Sequence, residues 1–179
     1  MIETERLLLR PLREANVDEL LCIFSDPKVM ASFGGILFDQ PQMERWVQRN
    51  LDHQAQYGYG LFSVIHKVDG LLIGDCGLEH MELGERSETE LGYDFRSDYW
   101  NQGLATEAAA AVRDYAFQVL QLPRLVSLIR PGNRASQRVA EKVGMRLTAE
   151  IMRNERPYFV YAITTEELNN SEVFPGNHG

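Results

Sequence analysis

The amino-acid sequence predicts an α+β fold with a mixed, mostly antiparallel sheet of about seven strands and about four helices. Two observations carry this. Hydrophobic periodicity switches between the helical 3.6 and the strand-like 2 along the chain, and the strand-like runs cluster instead of alternating strictly with helices. The order reads β-α-α-β-β-β-α-β-α-β-β, which is not the alternation of a doubly wound fold. At 179 residues the chain has the length of one compact domain. We place that domain at residues 1–165, with a polar tail over 166–179.

Each element has a local reason. Arg6–Leu12 (RLLLRPL) reads as a short strand ended by Pro11 or soon after. Asn16-Val-Asp-Glu19 has the spacing of a capping box, followed by a helix with Val17, Leu20, Leu21 and Phe24 on one face and a stop at Pro27. Pro41, a favoured first-turn residue, opens a second helix striped by Met43, Trp46, Val47 and Leu51. Ser32–Phe38, with Gly34-Gly35, reads as a loop between them. Three strands follow, Leu61–His66, Leu71–Leu78 and Ser87–Phe95, the first two joined by a tight turn at Asp69-Gly70. Gln102–Gln121 is a long helix, Arg124–Ile129 a strand, and Asn133–Val143 a helix closed by Gly144. Arg146–Met152 and Tyr158–Thr164 pair around a turn near Asn154–Pro157, and a polar tail containing Pro175-Gly176, expected to be partly disordered, begins at Thr165.

Composition narrows the function. Eighteen Lys+Arg against 26 Asp+Glu leave a formal charge of −8. This argues against a sequence-blind nucleic-acid binder, which needs excess positive charge to displace counterions. A negative surface favours amines and basic peptides; it also serves simply to keep a protein in solution. Cys22 and Cys76 lie in no metal-ligand spacing and read as small core residues, so no metal site is expected. The first residues do not resemble a signal peptide, and no apolar run reaches the length of a membrane span, which points to a cytoplasmic protein without a membrane partner.

The stretch Glu90–Ala108 holds the chemistry. A strand enters a polar turn that opens directly onto the long helix, and a helix N-terminus offers unpaired N–H groups to a phosphate. Gly103 and Ala105 leave that backbone open to close approach, although glycine here also meets an ordinary conformational need. Neither a P-loop nor the dinucleotide fingerprint is present.

Thr4-Glu5-Arg6-Leu7 with Arg10-Pro11-Leu12, then Leu91-Gly92-Tyr93, Trp100–Ala108, and Asn133–Ser136 through Val143-Gly144-Met145 resemble the GNAT superfamily of acetyl-CoA-dependent N-acetyltransferases. Within it they most resemble the ribosomal-protein-alanine N-acetyltransferase branch. The resemblance runs from about Thr4 to Thr164, with four blocks in order. It implies the GNAT fold and acetyl-CoA as co-substrate. The pantetheine arm would pair with the strand at Tyr93 to Phe95, and the pyrophosphate would sit on backbone at Gln102, Gly103, Leu104, Ala105 and Thr106. Asn133 and Ser136 would contact the cofactor; Asn133 is also a good N-cap and Ser136 an ordinary first-turn residue. Trp100 stands where the superfamily usually has Gln or Arg.

Transfer to an amine requires a base, because the amine is protonated near neutral pH. Glu90, with Glu88 behind it, is the candidate from the fourth strand; the alternative for both is a charge on an exposed sheet edge. The oxyanion wants a backbone N–H, plausibly near Phe95. The superfamily's usual acid, a tyrosine seven residues after the motif asparagine, is replaced by Ala140, which leaves Ser136 as the hydrogen-bond donor and Tyr158 or Tyr161 as pocket-lining residues or strand packing. Glu79, Glu82, Glu85, Glu88 and Glu90 form either a cation-attracting cluster or a solvated hairpin. Phe33, Phe38 and Trp46 either line the acceptor site or belong to the core. The function expected is acetyl transfer by direct attack of a primary amine, a protein N-terminus or a small molecule, in a monomer or homodimer. The rival is a non-catalytic acyl-CoA-binding sensor.

Overall fold

The structure, a computed structural model, describes residues 1–173. Its single sheet has eight strands: β1 (Ile2–Glu3), β2 (Leu7–Pro11), β3 (Leu61–His66), β4 (Leu72–Leu83), β5 (Arg86–Phe95), β6 (Arg124–Ile129), β7 (Arg146–Arg153) and β8 (Arg156–Thr164). They lie in the order β1-β2-β3-β4-β5-β6-β8-β7. All neighbours are antiparallel except β5 and β6. The helices are α1 (Val17–Phe24), α2 (Pro27–Met30), α3 (Gln40–Tyr57), α4 (Leu104–Gln118), α5 (Arg134–Lys142) and α6 (Thr165–Val173).

Alternation along the strands separates two apolar layers. Cys76, Leu78, Leu91 and Phe95 join Leu104, Ala108, Ala109, Val112 and Ala116 in the main core. The small residues on this stripe of α4 let the helix axis approach the sheet closely, so the helix N-terminus is firmly placed. A second core gathers Leu20, Ile23 and Phe24 of α1 with Met43 and Val47 of α3. Between the strands' core-facing residues lie Asp75, Gly77 and Glu79 on β4 and Glu90, Gly92 and Asp94 on β5, turned to the opposite face.

Several local expectations are corrected. Asn16 precedes α1, but its side chain does not cap that helix: Oδ1 accepts from the Arg13 N–H at 3.1 Å and from Ser63 Oγ at 3.0 Å, tying the chain entry to β3. Pro27 does not merely stop α1; with Asp26 as cap it starts the four-residue α2. The β4–β5 hairpin is longer than its apolar runs, because polar residues continue both strands to a turn at Gly84 and Glu85. Cys76 is buried, whereas Cys22 is exposed. The polar stretch from Thr165 opens as a helix, α6, whose Leu168 reaches the main core. Pro175-Gly176 lies outside the described residues.

Candidate active site

The site begins where the sheet opens. Even-numbered residues of β5 bond to β4, as the Arg96 N–H to Ile73 C=O bond at its end shows. The peptide groups of Leu91, Tyr93 and Phe95 therefore turn toward β6. Yet β6 is in register with β5 at one pair only, Glu90 with Val126. Past that point side chains replace the ladder: Ser127 Oγ donates to the Leu91 carbonyl at 2.6 Å, and the Leu128 N–H donates to Glu90 Oε1 at 3.1 Å. Beyond them the strands diverge into a cleft of about 410 Å³, bounded by β5, β6, the Ser32–Phe33 loop, the start of α5 and the Arg153–Arg156 hairpin.

The cleft floor is acidic. Across β4 and β5 the register sets Asp75 opposite Asp94, Gly77 opposite Gly92 and Glu79 opposite Glu90. Sequence reasoning singled out Glu79 and Glu90 but missed Asp75 and Asp94. The signal was present: Asp75-Cys-Gly-Leu-Glu79 and Glu90-Leu-Gly-Tyr-Asp94 are mirror patterns at equal distance from the hairpin turn. Burial pushes the Glu90 carboxyl up to about 7; its bond from the Leu128 N–H opposes the rise, while Glu79 adds to it. Burial and the nearby Glu79 and Glu90 also raise Asp94. Asp75, 2% exposed, is raised strongly by burial and by Asp94, and its Oδ2 has no hydrogen-bond partner.

The other acids separate from this floor. Glu88 pairs with Arg124 at 3.3 Å outside the cleft, Glu82 bonds to Ser87 and His80, and Glu85 sits exposed in the hairpin turn. Since β5 lies inside the sheet, neither Glu88 nor Glu90 is an edge charge. Phe33 and Tyr158 line the cleft, whereas Phe38 and Trp46 pack on Phe24 in the second core. Tyr161 is buried, with its hydroxyl on Glu141.

The turn into α4 is held from behind. Gly103, at φ +79°, is the N-cap and offers no side chain, so the first-turn N–H groups of Leu104, Ala105 and Thr106 have no intrahelical or capping partner. Glu107 in that turn faces away: Oε1 accepts from Thr4 Oγ1 and the Arg6 N–H, and Oε2 from Arg6 Nε at 2.7 Å. Arg6 Nη1 also donates to the Gln102 carbonyl at 2.9 Å. Trp100 donates its indole N–H to the Phe95 carbonyl at 2.9 Å, so the Phe95 C=O is already engaged and only its N–H is left for a ligand.

At α5, Asn133 Oδ1 caps the helix through the Ser136 N–H at 3.1 Å. Both residues line the cleft, and the Ser136 hydroxyl makes no hydrogen bond among the described residues. Tyr93 crosses the gap and donates its hydroxyl to the Ser136 carbonyl at 2.8 Å. Thus Glu90, Tyr93, Asn133 and Ser136 meet in one cleft, Phe95 stands at the far end of β5, and residues 102–106 form the turn beyond it.

A strand opened at its centre, beside an uncapped helix, is set out to seat a ligand. The sequence profile of the acetyltransferase (GNAT) domain matches residues 6–146. The chain belongs to the GNAT acetyltransferase family. It is 36% identical to the uncharacterized protein YkkB of Bacillus subtilis over 88% of this chain and 92% of that one. An acetyltransferase structure from Agrobacterium tumefaciens shares 33% identity at a TM-score of 0.79, covering 92% and 94% of the two chains. At 15% identity and a TM-score of 0.81, the aminoglycoside acetyltransferase AAC(6')-Ib, solved with paromomycin and acetyl-CoA, shares the fold over 97% of this chain and all of its own. The GNAT chain described here is accordingly an acetyl-CoA-dependent acetyltransferase with an α+β fold. No helix among the described residues is long and apolar enough to cross a membrane.

Proposed function

We propose that this GNAT enzyme moves the acetyl group of acetyl-CoA directly to a primary amine in the cleft between β5 and β6, with Glu90 as general base. The observation that carries the reading is the divergence itself. The peptide groups of Tyr93 and Phe95 face a gap, and the gap leads to the three first-turn N–H groups of Leu104, Ala105 and Thr106, which have no side-chain cap. An extended amide-bearing arm ending in a pyrophosphate suits that sequence of donors and acceptors. AAC(6')-Ib, the enzyme of like fold, was solved with acetyl-CoA.

When bound, acetyl-CoA supplies an activated acyl carbon and a thiol leaving group. Tyr93 and the N–H of Phe95 would hold its arm. Gln102, Gly103, Leu104, Ala105 and Thr106 would hold its pyrophosphate, and Asn133 and Ser136 its flank. The chain does the rest of the chemistry with its own groups. Glu90, held near 7 by burial, is partly ionised at neutral pH and can take the proton from an incoming ammonium. The Leu128 N–H fixes one carboxylate oxygen and leaves the other for the amine. Ser136 Oγ, without a partner, can give a hydrogen bond to the departing sulfur in place of the tyrosine that Ala140 replaces. Ala140 is fully buried on the core side of α5 and does not line the cleft.

Calorimetric titration with acetyl-CoA, followed by thiol release against a panel of amines and N-terminal peptides, tests this. The expected result is binding with acceptor-dependent release that Glu90→Gln reduces without loss of acetyl-CoA affinity. Absence of binding would overturn the cofactor site. Binding with no acceptor-dependent release would favour the sensor reading.

A further inference from the structure

Resting on the acetyl-transfer reading above, we propose that the acceptor is a small zwitterion, a primary amine carrying a carboxylate or phosphate a few bonds away. Its ammonium is seated on Glu90, Gly92 and Asp94, and its anion is held by Arg153 and Arg156.

The seat is built on the strand. Glu90 and Asp94 flank Gly92 on the same face of β5, and a Cβ at Gly92 would meet no atom within 4 Å. The floor is therefore bare over Gly92, with Glu90 about 7 Å to one side along the strand and Asp94 about 7 Å to the other, so that both side chains lean over the glycine toward an ammonium seated there. Asp94 makes no hydrogen bond among the described residues, and Glu90 receives only the Leu128 N–H. Asp75, opposite Asp94, is 2% exposed and keeps Oδ2 without any partner. Buried oxygens of this kind are normally satisfied. Of these, Glu90 and Asp94 line the cleft, and the oxygens they turn to it have no protein donor, which an ammonium with three N–H groups supplies.

The opposite wall has the reverse imbalance. Arg153 and Arg156 face each other in register across the β7–β8 hairpin, and both line the cleft. Neither forms an ion pair or a hydrogen bond among the described residues, although the Arg153 charge is near enough to lower the Glu90 carboxyl. Arg156 is nonetheless positioned, because its guanidinium rests on the bare side of Gly34, where an added Cβ would lie 2.8 Å from Nη1. Acidic floor and basic wall do not pair across the cleft. A purely cationic ligand would meet two arginines, and a purely anionic one would meet three carboxyls. One ligand carrying both signs satisfies both walls. The cleft measures about 410 Å³ and also takes the acyl end of acetyl-CoA in the reading above, which leaves room for a small acceptor only. A peptide N-terminus would bring a neutral carbonyl to the arginines, and a diamine a second cation.

The test compares matched acceptors by thiol release in protein shown by calorimetry to bind acetyl-CoA. The panel is glycine, β-alanine and γ-aminobutyrate, their amides, propylamine, 1,3-diaminopropane and phosphoethanolamine. The expected result is a kcat/KM for one of the acids or for the phosphate at least about tenfold above its uncharged and dicationic counterparts. The carboxylate and phosphate arms identify the anion. Arg153→Gln and Arg156→Gln should each shrink that advantage through KM, with acetyl-CoA affinity retained, and Arg153→Glu should shift preference toward the diamine. Equal rates with acid and amide, preference for the diamine or propylamine, an advantage insensitive to both arginines, or no acetylation of any of them by acetyl-CoA-binding enzyme would overturn the proposal. Loss of acetyl-CoA binding would instead strike the reading beneath it.

Discussion

Arg6 and Glu107 are joined twice, once through the Arg6 guanidinium at 2.7 Å and once through the Arg6 backbone N–H at 2.8 Å. This bond fastens the start of the chain to the first turn of α4 and turns a carboxylate away from the N–H groups that a pyrophosphate would use. Replacing Arg6 by Gln leaves that carboxylate uncompensated about one helical turn from the phosphate site. The expected outcome is an acetyl-CoA Kd raised about tenfold, the scale of one charge-assisted hydrogen bond, with kcat close to its original value. Titration calorimetry beside steady-state kinetics measures both.

As the proposed base, Glu90 should set the acid side of the pH profile. Its carboxyl sits at about 7 because burial disfavours the charged form. Acceptor kcat/KM should therefore rise with pH and level off above about 7 as the base ionises. In Glu90→Gln that limb should vanish and turnover should fall by roughly a hundredfold, the usual scale for a lost general base. A limb that persists in the variant would assign it to another group, with Asp94 the first to examine.

The same burial reaches stability with a definite sign. Asp75, Glu90 and Asp94 all have native pKa values above those of the unfolded chain. The folded state then binds more protons than the unfolded state as pH climbs past about 4, and stability falls with rising pH through that window until the native groups ionise. Asp94→Asn removes one of these carboxyls. It should raise the melting temperature by about 2–4 °C for each kcal/mol recovered at pH 8, and by much less at pH 4. Thermal unfolding monitored across pH decides this, and equal shifts at both ends would refute it.

Much of this arrangement was legible from sequence wherever one local rule governed one element. The turn at Gly103, the helix after it and the cap at Asn133 follow from chain chemistry alone, the long helix starting two residues later and ending three residues earlier than the pattern puts it. The failures share a different cause: each depended on a partner distant in sequence. Asn16 has the right spacing for a helix cap, but Ser63, 47 residues on, takes its oxygen. Thr165 begins a polar stretch whose helix is tied to distant partners, Leu168 to the core and Thr165 to the carbonyls of Leu122 and Pro123. Asp75 and Asp94 look unremarkable until the hairpin register sets them face to face. Trp100 departs from the family pattern, and its indole spends its one donor on the Phe95 carbonyl.

Gly103 gives a further check. At φ +79° it occupies the left-handed region, where a side chain costs about 1 kcal/mol. An added Cβ would come no nearer than 3.5 Å to Arg6 Nη2, so Gly103→Ala strains the backbone without a collision. The variant should fold with a melting temperature lowered by a few degrees and bind acetyl-CoA more weakly, as circular dichroism and titration can establish.

The opening between β5 and β6 has a mechanical side. Strands β1 to β5 and β6 to β8 form two continuous ladders, and the seam between β5 and β6 is closed by one registered pair, the Glu88–Arg124 ion pair and two side-chain hydrogen bonds. In the empty enzyme the two halves are tied across the seam mainly by α4 and α5, so amides of β6 facing the seam should exchange with solvent faster than those facing β8. An acyl-CoA seated as proposed would act as the absent strand, and slowed exchange along β5 and β6 would report its arrival without any turnover. On that reading the sheet is complete only while the enzyme is loaded, and each product release unfastens it again.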